Sequence, residues 1–159
     1  ALSIYYLWQN YKSTINKFFI SFYLLLFIYF FNNFILLTPY HYTYLNVLAG
    51  QKASVYKKFE NDYWSTSLSE LIKKTNFNNQ ETILISSCGA NNYLIKKYMS
   101  KKYNNNFRLV RDEEADFIIM TNRSIIDNNT ITNCFEKYKG KDIFNVKRGK
   151  MVLSTVRKL

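Results

Sequence analysis

Residue types suited to chemistry occur first around Asp62. Glu60 and Asp62 stand close together and are followed directly by Tyr63 and Trp64. Paired carboxylates can act as general acid and base or bind a cation, so this stretch is one candidate for a functional site. Solvated surface acids are the alternative. A second set of acids falls between two predicted strands, where most acids are solvated turn residues: Asp112, Glu113, Glu114 and Asp116.

The turn from Ser86 to Asn91 is a second candidate, because it joins a predicted strand to a predicted helix. Free amides at a helix N-terminus after a parallel strand bind anions. The turn contains one glycine and neither the GxGxxG nor the GxxxxGK[ST] pattern, so nucleotide binding is not indicated. Cys88 could be activated there by the helix dipole, but no base partner is identifiable, and a catalytic thiol is not expected.

The two cysteines, Cys88 and Cys134, fit no metal-binding spacing, and His41 is the single histidine of the chain. A multi-histidine metal site built from this chain alone is therefore excluded. The cysteines form either one disulfide in an oxidising compartment or buried thiols, and the sequence leaves both alternatives open. We predict no metal, no cofactor and no catalytic residue in this chain.

These residues must be positioned relative to one long apolar stretch. Phe18 to Leu37 is twenty residues without a formal charge. A helix of that length rises about 30 Å, the thickness of a bilayer's hydrocarbon core. The alternatives are a buried core helix and the apolar part of a signal peptide, but the run closes on Leu-Leu-Thr-Pro-Tyr rather than on a small-residue cleavage site. Asn32 and Asn33 lie near its outer end, within reach of headgroup water or a neighbouring helix.

The flanking charges predict the orientation of this span. Lys12 and Lys17 precede it without any acid, and no Lys or Arg lies between Thr38 and Gln51. The N-terminal side is then cytoplasmic and the remainder extracytoplasmic, in an inner or plasma membrane. The net charge of +11 is dispersed in Lys-Lys pairs among acids, which favours a solvated face over a nucleic-acid partner. A basic surface near a membrane can also attract lipid headgroups or anionic lipid-linked substrates.

The sequence predicts four segments. Residues 1–16 are a cytoplasmic or interfacial segment or the end of a truncated helix, since the chain begins with Ala and we expect a fragment or a processed chain. Residues 17–38 form a transmembrane helix, and 39–64 an aromatic segment at the membrane interface. Residues 65–159 form a soluble domain.

This domain is predicted to be α/β, with a mixed sheet and a C-terminal β-hairpin. Ser65 to Ser67, with Glu70 in a capping-box position, predict a helix to about Thr75. A second helix is predicted from Tyr93 to about Lys102. The predicted strands are apolar or alternating runs bounded by turn residues: 82–87, 107–111, 115–121, 142–148 and 151–157.

Four stretches of the chain are similar to one known family. They are PYHYTYLNVLAG at 39–50, FENDYWSTS at 59–67, ADFIIMTNR at 115–123 and the closing residues 144–159. Together they resemble the C-terminal region of bacterial polytopic membrane glycosyltransferases related to the dolichyl-phosphate-mannose protein mannosyltransferases. In that family a last span is followed by an aromatic segment, an F-DYW--S segment and a small α/β domain.

The resemblance implies a fragment that lacks the essential acidic residue, which such enzymes carry far upstream, and that is inactive by itself. Its partners would be the lipid bilayer, the remaining transmembrane helices and a polyprenyl-phosphate-linked sugar. Aromatic rings beside carboxylates can stack on sugars and accept their hydroxyls, or can simply anchor the domain at the interface, which we favour. A membrane-anchored binding or assembly module without enzymatic activity is the alternative function. The residues implied nearest to substrate are Tyr42, Tyr44, Asn46, Asp62, Tyr63 and Trp64.

Overall fold

A computed structural model describes residues 5–6, 9, 14–41, 57–62, 64–77, 82–127 and 130–159. The chain divides into two compact units, Ala1–His41 and Tyr42–Leu159. The first unit contains one long apolar helix, and the second contains an α/β domain.

Helix α1 (Thr14–Leu37) is the long element of the first unit. It confirms the predicted helix, and its portion Asn16–Leu37 is, among the described residues, the one helix long and apolar enough to cross a membrane. Most of its side chains are exposed, including rings such as Phe27 at 64%. Within the helix, Asn33 Nδ2 donates to the Tyr29 carbonyl at 2.8 Å.

The C-terminal end of α1 is closed by side chains from the residues that follow it. Thr38 Oγ1 donates to the Phe34 carbonyl at 3.0 Å. His41 Nε2 lies 3.0 Å from the same carbonyl, and the His41 ring stacks on the Phe34 ring with 3.9 Å between centroids. The last carbonyls of a helix have no partner within it, so these contacts satisfy one of them locally.

The second unit is built on a five-stranded sheet in the order β2-β1-β3-β7-β6. Strands β1, β2 and β3 are parallel to one another. Strand β7 runs antiparallel to both β3 and β6, and it forms a C-terminal hairpin with β6. This confirms the predicted α/β class with a mixed sheet. The strands are β1 (Ile83–Cys88), β2 (Phe107–Leu109), β3 (Phe117–Thr121), β6 (Lys141–Arg148) and β7 (Met151–Lys158).

Two helices pack together beside this sheet, α2 (Leu68–Lys74) and α3 (Asn92–Tyr103). Helix α3 makes the crossover from β1 to β2 that a parallel pair requires. Near its C-terminal end, Lys102 Nζ donates to the carbonyls of Ile72, Lys73 and Thr75 at 2.9, 2.9 and 2.5 Å. A cation therefore satisfies the final carbonyls of α2, where the helix dipole is negative.

The core lies where β3 and its neighbours meet these helices. All five residues of β3 are buried, as expected for a central strand covered on both faces. The other large buried side chains come mainly from α2, α3 and β7: Leu68, Leu71, Ile72, Ile95, Met99, Met151, Leu153 and Val156.

Four smaller elements were not predicted from the sequence. Strands β4 (Ser124–Asp127) and β5 (Thr130–Asn133) form a separate two-stranded antiparallel sheet, and α4 (Cys134–Lys137) follows. A single 3-10 turn, Asp112–Glu114, lies between β2 and β3.

The predicted capping box at α2 is wrong. Ser67 occupies the N-cap position, but its side chain makes no capping bond to the helix. Its hydroxyl contacts Asp62 and Ser154 instead, and Glu70 pairs with Lys74 at 2.7 Å and Arg148 at 2.6 Å. Long-range partners outcompete the local bond because they satisfy a buried carboxylate and a buried hydroxyl.

Candidate functional site

The segment before α2 is a tight turn organised by the Asp62 carboxylate. Asp62 is fully buried, and its Oδ1 accepts bonds from the Thr66 backbone N–H at 3.0 Å and the Thr66 hydroxyl at 3.2 Å. Its Oδ2 accepts the Ser67 backbone N–H at 3.3 Å and the Ser67 hydroxyl. A carboxylate that receives amides just before a helix is strongly bonded and well placed against the helix dipole. Asp62 therefore holds the turn that leads into α2, because it binds the backbone N–H groups of the two residues that precede the helix.

This turn leaves one aromatic side chain at the surface. Trp64 is 71% exposed, although it lies between the buried residues Asp62 and Ser65. Ser65 has φ of +54°, a left-handed conformation that turns the chain at this point. The Asp62 turn thus presents a large flat ring to the surroundings, on a backbone held by four hydrogen bonds to one carboxylate.

The residues preceding the turn are bound to the carboxyl end of β3. The Phe59 carbonyl accepts a bond from Asn122 Nδ2 at 2.8 Å, and Glu60 Oε1 accepts the Ser124 backbone N–H at 2.7 Å. Asn122 Oδ1 in turn accepts from Asn133 Nδ2 at 2.8 Å. In open α/β sheets the space outside the carboxyl ends of parallel strands is the usual place for ligands. The Asp62 segment therefore borders the edge of the sheet where a site is expected.

Asn61 is the polar side chain in this segment that the fold leaves unused. It is only 6% exposed, and among the described residues neither its amide nitrogen nor its amide oxygen has a hydrogen-bond partner. Burying an unsatisfied amide costs about 1–3 kcal/mol. The carboxylates of the neighbouring Glu60 and Asp62 both accept hydrogen bonds, and Asn61 differs from them in this respect.

The second acidic cluster does not gather into one site. Asp112, Glu113 and Glu114 are exposed, and among the described residues no three His, Cys, Asp or Glu side chains could together hold a metal ion. Asp112 alone is engaged, since it accepts the Ser86 hydroxyl and, at 2.5 Å, the Tyr138 hydroxyl. Burial, and then the hydrogen bond and charge of Asp112, raise the pKa of Tyr138 above its usual value.

The strand-to-helix turn is closed by its own side chains. Asn91 Oδ1 accepts the backbone N–H groups of Tyr93 at 2.9 Å and Leu94 at 3.4 Å, so two amides of the predicted anion position are already bonded. Ser87 Oγ donates to Asn92 Oδ1 at 2.5 Å. The chemistry available at this turn is therefore largely used for capping α3.

The two cysteines form a disulfide. Of the alternatives that the sequence left open, the structure contains the bond between Cys88 and Cys134, with 5.6 Å between their Cα atoms. Both residues are buried beside Ile118 and Met120. Gly89, with φ of +69°, follows Cys88 directly, and a Cβ there would lie 2.7 Å from the Arg123 Cβ. The end of β1 is thus covalently joined to the start of α4.

The structure describes only some of the residues that the sequence predicted for the site. Tyr42, Tyr44, Asn46 and Tyr63 lie outside the described residues. Asp62 and Trp64 are brought together in one turn with opposite exposure, and a role in binding substrate stays a prediction for both. Sequence reasoning missed Asn61, Asn122 and Asn133. Their signal was weak, because asparagines are frequent in this chain and partners 11 or 63 residues apart leave no local pattern.

Comparisons of the chain with family models, with curated proteins and with solved structures found no match. Three features of the chain therefore bear on its function: the geometry of the Asp62 turn, the apolar helix and the sequence resemblance.

Proposed function

We propose that this chain is the C-terminal part of a membrane glycosyltransferase that uses a polyprenyl-phosphate-linked sugar. It supplies a membrane span and an accessory α/β domain on the extracytoplasmic side, without the catalytic acid. The observation that carries the proposal is the Asp62 turn. Asp62 and Ser67, which belong to the F-DYW--S resemblance, are bonded to each other in this turn, and Trp64 is exposed there.

The membrane part of the proposal is supported by the surface of α1. Leu24, Leu25 and Phe27 are each about 60% exposed in a helix with almost no buried side chains. Leaving one such side chain in water rather than burying it costs about 1.5–3 kcal/mol. Many of them on a single helix require an apolar environment, and 24 residues are sufficient to cross a bilayer.

The extracytoplasmic side is supported by two independent features. Disulfides form and persist in oxidising compartments, and the domain contains one between Cys88 and Cys134. Lys12 and Lys17 precede the helix and no acid accompanies them, which favours a cytoplasmic N-terminal flank. Both features support the same side of the membrane for the domain.

Within this site, Trp64 and Asp62 take different roles. An exposed indole ring can stack on the apolar face of a sugar or lie among lipid headgroups. Both Asp62 oxygens are occupied by Thr66 and Ser67, so Asp62 is a positioning residue that holds Trp64 rather than a contact for hydroxyls.

The test compares Trp64→Ala with Tyr93→Ala in the full-length enzyme, in membranes supplied with a radiolabelled polyprenyl-phosphate sugar. Tyr93 is a matched control, since it is 72% exposed and lies on α3. If Trp64 stacks on the sugar, Trp64→Ala should reduce transfer about tenfold at unchanged membrane abundance, and Tyr93→Ala should leave transfer unaltered. Loss of transfer and abundance together would assign Trp64 to anchoring, and no transfer by the wild type would favour the binding module.

The orientation has a separate test. Lys97 is exposed on α3, and Lys97→Cys adds a thiol to a domain whose own two cysteines are bonded. In intact cells a thiol reagent that does not cross membranes should label this variant and leave the wild type unlabelled. Labelling only after lysis would place the domain in the cytoplasm and contradict the proposal.

A further inference from the structure

The hairpin β4–β5 exposes an apolar pair that the domain does not cover. Ile126 and Ile131 face each other across the two strands, and each is 79% exposed. Ile125, the neighbour of Ile126, packs against the buried cluster around the disulfide. Side chains alternate between the faces of a strand, so the fixed position of Ile125 directs Ile126 and Ile131 away from the domain. We call this pair the hairpin patch.

The segments packed beside the root of the hairpin carry more basic than acidic residues. Phe59 and Glu60 are bonded to Asn122 and Ser124, and Lys57 Nζ lies 3.3 Å from Glu136 Oε1 in α4. These contacts bring the segment 57–60 and the segment 134–139 to the same part of the domain. Together they carry four exposed lysines and two glutamates, and Phe59 is 43% exposed among them.

The size of the hairpin patch argues against a protein partner. Two isoleucine side chains present roughly 300 Å², well under the ~800 Å² that each partner contributes to a stable protein–protein interface. Small apolar clusters accompanied by lysines are instead typical of surfaces that enter the boundary between lipid headgroups and acyl chains.

If α1 is inserted in a bilayer, the chain itself holds the hairpin patch close to that membrane. Helix α1 is long and apolar enough to cross a bilayer, and residues 38–56 separate it from the first described residue of the domain. Nineteen residues span at most about 65 Å when fully extended, so a domain tethered by an inserted α1 remains near the lipid. Under tethering, even a weak contact is well populated.

We propose that hairpin β4–β5 is a second membrane contact of this protein. Ile126 and Ile131 enter the headgroup boundary of an anionic phospholipid bilayer, while the lysines of segments 57–60 and 134–139 face the anionic headgroups. The contact requires a membrane and an inserted α1, and it does not depend on any transferase activity.

The experiment uses the full wild-type chain in nanodiscs of phosphatidylcholine and phosphatidylglycerol, with a phospholipid that carries a diazirine in its acyl chain. After illumination, mass spectrometry maps the labelled residues. Helix α1 is the internal positive control. Ile143, an isoleucine that is 39% exposed on the edge strand β6, is the matched negative control. We expect residues 124–133 to be labelled at least about threefold more than the β6 strand.

A variant then separates the hairpin patch from general proximity. Ile126→Ser with Ile131→Ser should reduce labelling of the hairpin at least about threefold while labelling of α1 is unchanged. Replacing phosphatidylglycerol by phosphatidylcholine should also reduce it, since the lysines lose their counter-charge. Labelled α1 with an unlabelled hairpin, equal labelling of hairpin and β6, or cross-links from the hairpin to a second copy would each overturn the proposal.

Discussion

The described part of the domain contains two β-hairpins, which differ in strand length, in burial and in the contacts that hold them. In β6–β7 each strand has eight residues, and β7 lies inside the main sheet with Met151, Leu153 and Val156 buried. In β4–β5 each strand has four residues, and the apolar pair Ile126 and Ile131 is exposed. An isolated two-stranded hairpin is marginally stable in water. The β6–β7 hairpin is therefore held by packing in the core, and the β4–β5 hairpin by a few specific contacts at its root.

Those contacts are a disulfide, hydrogen bonds and the packing of Ile125 against the buried cluster around the disulfide. The disulfide joins Cys134, directly after β5, to the end of β1. The Cys134 backbone N–H donates to the Arg123 carbonyl at 2.9 Å, and Asn133 Nδ2 donates to Asn122 Oδ1 at 2.8 Å. The β4–β5 hairpin can therefore keep Ile126 and Ile131 exposed, because a disulfide and hydrogen bonds at its root help to fix its position.

The largest expected effect comes from removing the disulfide. Cys88→Ala with Cys134→Ala opens a cross-link between residues 46 apart, which on the chain-entropy estimate stabilises the protein by about 4 kcal/mol. Denaturant unfolding of the full chain in detergent measures the free energy. Hydrogen exchange should show β4–β5 losing protection first and β6–β7 retaining it. Equal loss in both hairpins would contradict the distinction drawn here.

The next effect separates a buried from an exposed apolar side chain. Leu153→Ala in β7 removes a fully buried side chain and should lower the free energy of unfolding by about 3 kcal/mol. Ile131→Ala in β5 is its matched control and should change that free energy by about 0.5 kcal/mol or less. A comparable loss for Ile131→Ala would mean that the hairpin patch is covered within the domain.

A smaller effect is expected at the polar tie. Asn122→Ala leaves the Phe59 carbonyl and Asn133 Nδ2 without the bonds that Asn122 makes to them, and should lower the free energy of unfolding by about 2 kcal/mol. Asn133→Ala and the double variant complete a mutant cycle. We expect a coupling energy of about 1 kcal/mol, since the two amides are in direct contact. Additive losses would show that the pair does not hold the hairpin.

The smallest effect concerns the segment between the hairpins. The pKa of Tyr138 is raised by burial and by Asp112, so the folded protein keeps the phenol proton more tightly than the unfolded chain does. This contribution to stability is complete below the usual pKa of 10.0 and is lost as the pH rises through the folded value. Tyr138→Phe should flatten the alkaline decline in stability, as measured by denaturant unfolding across that range. An unchanged decline would assign it to other groups.

The sequence was sufficient to predict elements whose pattern is local. The charge-free run before Leu37 predicted α1, and short β-branched runs between turn residues predicted β1 and β3. Alternation on both sides of Gly149 predicted the β6–β7 hairpin. The α/β class followed from the order of these elements.

The elements and contacts that were missed depend on distant partners. Hairpin β4–β5 was missed because its apolar residues include an exposed pair, so alternation gives no signal of burial. The capping box failed because Asp62 and Ser154 compete for Ser67. The role of Asn122 could not be predicted either, since its partner Phe59 is 63 residues away. Local patterns cannot reveal which of several polar residues meets a buried group.

The sheet order has a consequence for biosynthesis. Of the five strands in the main sheet, β7 comes last in the sequence, yet it is inserted between β3 and β6 and supplies one whole side of the central strand. A nascent chain that has reached only Arg148 exposes the open edge of β3 and lacks the residues that cover Ile118 and Ile119. The main sheet therefore cannot be completed until β7 has emerged from the ribosome, because this strand joins β3 to β6.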